Sequence, residues 1–343
     1  MTIAPWRATC IQMPSLLACK AKNPEAAGET IKANLTEAAR LIDAAVSVEN
    51  PPHLVLLPEF AFQGPPHGMS ASAWIAQACS PVPGMISEAL RDLAVRHGIF
   101  IGAHQFESAE DWPGRYFNTS FLIDPTGAVI LRYRRINTAA FPSPHDMMDL
   151  YTARHGPAEI FPVVDTRLGR LAMIPCGEIN VPEVARVLMM QGAETILHPT
   201  NSPLRPAQEA AKIVRAAENM MFLISANVAG GIGFSLDGSI RGGRSHIIDF
   251  TGATLAYEPG DHACATVSAV IDVEALRAAR RRDTGTMNPL LRARWEMYRP
   301  FYADASFYPP NSFSDVPMER RDETLPFLAA AISNMEDAGV LVR

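Results

Sequence analysis

Charge is scarce in this sequence: 19% of its residues are Asp, Glu, Lys or Arg, and the net charge is −6 with an isoelectric point near 5.9. A protein that grips nucleic acid needs a basic face against the phosphates, so this balance argues against that class. It argues equally against an anionic membrane surface as partner. Cysteine is sparse as well. Cys10, Cys19, Cys79, Cys176 and Cys264 form no CxxC pair and no close Cys/His cluster. That pattern predicts reduced thiols in a cytoplasmic protein rather than a disulfide framework. The histidines show neither HxxH nor HExxH spacing, so no metal site is expected. GxSxG, GxGxxG and P-loop patterns are missing, which removes the motif support for a serine hydrolase or a nucleotide binder. No basic segment followed by a long apolar run opens the chain, so no signal peptide is expected. No stretch is apolar for long enough to span a bilayer.

What the chain does have is apolar content, 48% of 343 residues, enough for a sizeable core. Segments of strand and helix character alternate. Trp6 to Gln12 reads as a strand, and Thr30 to Val46 as a helix with apolar residues at Ile31, Leu35, Ala38, Ile42 and Ala45. His53 to Leu57 is a short buried strand ended by Pro58. Met85 to His97 is a helix with Gly98 as its cap, and Phe100 to Phe106 is the next strand. A hairpin follows, FNTSFLID and AVILRYRR joined by Pro125-Thr126-Gly127. Asn137 to Pro157 has no clear period and is expected to be a surface loop.

The second half repeats the theme: strand Arg170–Pro175, helix Val181–Gln191, strand Thr195–His198, helix Pro206–Met221 and strand Phe222–Val228. A second hairpin then turns at Thr251-Gly252, and the last strand runs from Cys264 to Asp272. This internal similarity suggests two stacked sheets covered by helices. Near Pro300 the composition changes to a Pro- and aromatic-rich stretch. The expected organisation is a domain over residues 1–300 and a C-terminal arm over 301–343. The arm should pack on a neighbouring subunit and carry a short helix near Leu325 to Met335.

Three segments carry chemistry. In HLVLLPEF, Glu59 ends an apolar strand just after Pro58; alone, it is more often a solvated strand end than a group held in a cleft. In RLAMIPCGEINVPE, Cys176 stands at a strand-to-helix turn. Backbone N–H groups there would lower a thiol pKa and bind an oxyanion, although a lone Cys is more often buried and inert. In LRYRRIN, Arg135 closes a hairpin strand. It is either a solvated edge residue or a cation aimed at developing negative charge.

Taken in order, these segments resemble the nitrilase superfamily of carbon–nitrogen hydrolases. LLPEF matches the family's Glu context, LRYRRI its Lys context and IPCGEINVPE its Cys context. NTSFLIDPTGAVILRYRR, QGAETILHPTNSP, RAAENMMFLISAN and GRSHIIDFTG agree alongside, over roughly residues 6 to 275. The resemblance implies an α/β fold, a four-layer α-β-β-α sandwich of two stacked mixed sheets, in a homodimer or larger homo-oligomer. It also implies hydrolysis of a non-peptide C–N bond in a small amide or carbamoyl compound, through a thioester and without a cofactor. Catalytic roles fall to Glu59 as base, Arg135 as oxyanion cation and Cys176 as nucleophile. Asp149 takes the family's second acidic position, with Asp146 as its rival. Gly177, Thr200 and Asn201 fall to substrate binding.

The sequence departs from the family pattern in three places. Arg135 stands where a Lys is expected, and a guanidinium holds charge but gives up no proton. An Asp replaces the second Glu, a shortening that would compensate for the longer Arg. Gly177 replaces an aromatic residue common in relatives, which should open the pocket beside the nucleophile. Nitrile hydrolysis, acyl transfer and a catalytically silenced ligand-binding relative are the alternatives on the same scaffold.

Overall fold

The computed structural model describes residues 2–138, 141–233, 235–283 and 288–342. Strands β1 (Trp6–Gln12), β2 (Leu54–Leu56), β3 (Phe100–Ser108), β4 (Tyr116–Ile123) and β5 (Val129–Arg134) belong to the first half. The second half supplies β6 (Val164–Thr166), β7 (Gly169–Met173), β8 (Thr195–Thr200), β9 (Phe222–Asn227), β10 (His246–Ile248), β11 (Thr254–Tyr257) and β12 (Ala265–Ile271). They form two six-stranded sheets, in the orders β12-β1-β2-β3-β4-β5 and β11-β10-β9-β8-β7-β6. Both are mixed. β1-β2-β3 and β7-β8-β9 run parallel, and the hairpins flank them antiparallel. The last strand of the second half, β12, crosses over to pair with β1 and ties the two halves together.

The helices are α1 (Pro24–Val46), α2 (Ala71–Gln77), α3 (Met85–His97), α4 (Met148–His155), α5 (Pro157–Ile160) and α6 (Pro182–Met190). They continue with α7 (Pro206–Asn219), α8 (Val273–Arg280), α9 (Pro289–Arg292), α10 (Trp295–Ala303) and α11 (Leu325–Asp337). Strand alternation sorts the core into layers. Leu54 and Leu56 of β2 face Leu171 and Met173 of β7 between the sheets. Val55 points outward to the stripe Ile31, Leu35, Ala38 and Ile42 of α1 and to Ile86 and Leu90 of α3. Ala172 points to Val184 and Leu188 of α6. Each fully buried Leu or Ile contributes roughly 1.5–3 kcal/mol relative to exposure, and this is what stacks helix, sheet, sheet, helix. Gly102 of β3 leaves no room for a side chain between the sheets: a Cβ there would lie 2.8 Å from Leu56 Cδ1 of the neighbouring strand and 3.4 Å from Leu197 Cδ1 of the facing sheet.

Helix α1 begins earlier than the apolar period predicts, because Asn23 accepts a hydrogen bond from Ala26 N–H and Pro24 fills the first turn. The expected surface loop from Asn137 to Pro157 contains a 3₁₀ turn at Pro144–Met147 and then α4. Phe141, Asp146 and Met147 are buried in it. Aromatic stacking of Tyr151 on Trp112 orders a segment too polar to show a period. Of the Pro- and aromatic-rich stretch only Phe301–Ala303 is helical, closing α10 with Pro300 inside it; residues 304–320 form neither helix nor strand.

The arm hydrogen-bonds to its own chain: Asn311 N–H and Phe313 N–H donate to the carbonyls of His145 and Asp146, and Ala71 N–H donates to Glu319 O. It roofs a cavity of about 710 Å³ lined by residues that include Pro66, His67, Tyr116, Phe141, Met318 and Leu328.

Candidate active site

The two parallel cores end alike. Leu57 N–H bonds Gly102 O at 2.9 Å, Ile174 N–H bonds Leu197 O at 3.1 Å, and in each case a proline follows and stops the ladder. The residues after those prolines are Glu59 and Cys176, so both leave the sheets at the C-terminal ends of parallel strands. Arg135 leaves β5 one residue past its end, with its N–H bonded to Asn118 O at 2.9 Å.

Glu59 is fully buried. Its Oε1 accepts from Arg135 Nη1 at 3.3 Å and from Asn118 Nδ2 at 3.4 Å. Oε2 makes no such bond among the described residues, and the Cys176 thiol is near enough for its hydrogen bond to favour the carboxylate. Burial pushes the Glu59 pKa up; Arg135, then Cys176 and Asn118, oppose it. Asn118 is itself held. His104 Nδ1 accepts from Phe60 N–H at 3.3 Å, so Nε2 carries the proton and donates to Asn118 Oδ1 at 2.5 Å. Burial lowers the His104 pKa to about 3, so this imidazole is a neutral spacer.

Cys176 adopts φ 44°, a left-handed conformation that a non-glycine residue pays strain to keep. His198 holds the turn, donating from Nε2 to Cys176 O at 2.9 Å while its Nδ1 accepts from Ser225 Oγ at 2.8 Å. The thiol donates to Asn201 O at 3.8 Å. Its pKa is pushed up to about 12, by burial first and by the Glu59 charge second; Arg135 pulls the other way and loses. The expectation that the turn would favour a resting thiolate is therefore reversed. Thiol and carboxylate thus compete for one negative charge beside the guanidinium.

Arg135 is 11% exposed at its side chain, with Nε donating to Asn137 O at 2.8 Å. Glu59, Cys176 and Glu178 are the acidic groups that face it, with Tyr133 beside them. Asp149 is exposed at the start of α4, and its backbone N–H donates to Asn311 Oδ1. It does not join the cluster, so the idea that a shortened acid compensates for the Arg is unsupported. Asp146 is buried but accepts from Ser143 N–H at 2.8 Å, and burial raises its pKa to about 6. Gly177 lies under the guanidinium: a Cβ there would sit 3.4 Å from Arg135 Nη2. Thr200 ends β8 and Asn201 follows it beside the thiol; Asn201 Oδ1 accepts from Gly233 N–H, and its Nδ2 is buried with no partner among the described residues.

Sequence reasoning missed His104, Asn118, His198 and Glu178. The histidines carry no motif. Glu178 had a signal, an acid two residues past the nucleophile, but its partners lie on another strand. Among the described residues no group of three His, Cys, Asp or Glu side chains could hold a metal ion.

The family model for carbon–nitrogen hydrolases matches residues 7–281. The chain belongs to this family, within the nitrilase superfamily. Among curated relatives, an (R)-stereoselective amidase of Pseudomonas sp. is 29% identical over 251 residues, covering 71% of this chain and 81% of that protein. An omega-amidase of Xenopus tropicalis is 24% identical over 73% of this chain and 86% of its own length. Among solved structures, Nit3 of Saccharomyces cerevisiae superposes with a TM-score of 0.63 at 20% identity, over 82% of this chain and 96% of that one. An amidase from Nesterenkonia sp. gives 0.61 at 19%, over 88% and 98%. These two likenesses concern the fold, a sandwich of two mixed sheets between helices. The carbon–nitrogen hydrolase is an amidohydrolase by family. No helix among its described residues is long and apolar enough to cross a membrane.

Proposed function

We propose that this enzyme hydrolyses the C–N bond of a small amide or carbamoyl compound through a thioester on Cys176. The observation that carries the reading is the convergence of Glu59, Arg135 and Cys176, with Arg135 Nη1 3.3 Å from the buried carboxylate and the nucleophile on a strained turn. Glu59 takes the thiol proton as sulfur attacks the carbonyl carbon, so the thiolate exists only as the bond forms. The high resting pKa of the thiol fits that order. Negative charge moves from carboxylate to sulfur to carbonyl oxygen, within reach of Arg135 and the Gly177 N–H, and that oxygen becomes the oxyanion. The C–N bond breaks as Glu59 returns the proton to the leaving amine or ammonia. Water then attacks the thioester; Glu59 accepts its proton, and the acid leaves with the thiol restored. Asn201 Nδ2, without a partner among the described residues, is a donor available to the bound substrate.

The relatives act on amides by name, which supports an amide over a nitrile; transfer to an amine instead of water would differ only in product. The assay is ammonia release from a panel of amides, ureas and nitriles, with the intact mass of the protein read during turnover. An acyl adduct on the Cys176 peptide is expected, and turnover with no adduct at that residue would refute the thioester route. As part of the same reading, the free cysteines fit a cytoplasmic enzyme. Met297 and Phe301 of α10, with Leu325 and Ile332 of α11, are exposed apolar residues that support a homodimer or larger homo-oligomer. Light scattering on a sizing column measures that state.

A further inference from the structure

Glu178 is a buried carboxylate that the reaction above does not use. It is 0% exposed and lies two residues past the nucleophile, in the 3₁₀ turn Cys176–Asn180. Its Oε2 accepts from Tyr133 Oη at 2.8 Å. Its Oε1 accepts from Ile136 N–H at 3.2 Å, Asn137 N–H at 2.7 Å and Asn137 Nδ2 at 3.0 Å. Burial raises the Glu178 pKa, and Arg135 with the three N–H donors and the Tyr133 hydroxyl works against it in favour of the ionised form. All three partner residues flank Arg135. Asn137 closes the circuit, because its carbonyl accepts from Arg135 Nε at 2.8 Å. The guanidinium is thus gripped from behind by a residue that Glu178 holds, while Nη1 reaches Glu59.

We propose that Glu178 is a positioning residue for the reaction: it fastens the nucleophile's turn to the strand end that carries Arg135, and it sets how much of the Arg135 charge reaches Glu59 and Cys176. A buried guanidinium between two carboxylates is divided between them. With Glu178 ionised, Glu59 sees a cation already partly neutralised, and its proton is held more tightly than beside a free cation. Clamp and charge are separable. Glu178→Gln keeps an acceptor for Asn137 and removes the charge. Glu178→Ala removes both and frees Arg135 from its grip.

The inference rests on the proposed roles of Glu59, Arg135 and Cys176, so the test reads the site with and without turnover. The pH dependence of Cys176 alkylation by iodoacetamide is followed by peptide mass, beside the acid limb of kcat/KM for any amide the protein hydrolyses. In Glu178→Gln both limbs move to lower pH, by about one pH unit. Glu178→Ala loses the clamp on Arg135 as well as the charge, so its limbs lie at higher pH than those of Glu178→Gln, and turnover falls by about 10²-fold, the cost of a misplaced catalytic group. Limbs that stay where the unmodified protein has them in both variants would make Glu178 a mere anchor and overturn the proposal. An upward shift with Gln would overturn its electrostatic half. If Ala does not fold, Gln decides alone. Failure to hydrolyse any amide would count against the proposed function, while the alkylation limb still decides the role of Glu178.

Discussion

The two strand ends that build the site differ where it matters. Leu57-Pro58-Glu59 and Ile174-Pro175-Cys176 share a last ladder bond, a proline stop and an exit toward the same point. After the first, the left-handed conformation falls on Phe60, at φ 58°, so Glu59 stays in the core and is fully covered. After the second it falls on Cys176 itself, at φ 44°, and the residue is only half-buried. One step in the chain separates a base from a nucleophile. Burial suits the base, because desolvation raises a carboxylate pKa toward the thiol it must deprotonate. Access suits the nucleophile, because a carbonyl carbon has to reach it.

Removing the nucleophile is the harshest break of that pairing. Cys176→Ala should lower amide turnover on the order of 10⁶-fold and abolish the acyl adduct seen by intact mass. Glu59→Gln keeps shape and removes the base. Turnover should drop by about 10²- to 10⁴-fold, with the thermal transition retained; an unchanged rate would exclude Glu59 as base. Arg135 joins the two ends, so Arg135→Ala should cost roughly 10²-fold in kcat. Arg135→Lys should keep measurable activity, because charge is preserved. A Lys variant that is active where the unmodified protein is not would mean that the Arg silenced an inherited site.

The comparison sharpens with pH. Glu59 must be ionised to act, and its pKa is raised by burial. Activity should therefore be complete above that raised value and fall as pH drops through it, with the acid limb of kcat/KM above the ordinary carboxylate range. A limb at the ordinary value would place the base in water. The mildest break is in the hairpins. Asp124 Oδ1 accepts from Thr126 N–H, Thr126 Oγ1 and Ala128 N–H, and Asp249 Oδ1 accepts from Thr251 N–H, Thr251 Oγ1 and Ala253 N–H. Asp124→Ala and Asp249→Ala should each cost about 1 kcal/mol of stability by denaturant titration. Neither should change turnover greatly, since both turns lie at the far ends of their hairpins.

Local signals determined a good part of this protein. Short-range patterns wrote β1, α3 with its Gly98 cap, both hairpins and the strand ends at Glu59 and Cys176, because apolar period, proline stops and Asp-x-x-Gly turns act within a few residues. The same spacing could not say that α4 exists, since its order comes from Tyr151 stacking on Trp112, some forty residues away. Nor could it place the acids. Asp149 and Asp146 match the family's interval along the chain, yet one is exposed and the other is tied to Ser143. Glu178, read as flanking sequence, faces the guanidinium from across the sheets. The direction of the Cys176 pKa was beyond reach for the same reason. A helix start and a cation favour thiolate locally, whereas desolvation and the Glu59 charge arise only when the two sheets close over the strand ends. Sequence by itself determined which chemical groups stand at the ends of the strands; tertiary structure alone decided which of them share one buried charge, because electrostatics depends on distance and burial in space rather than on separation along the chain.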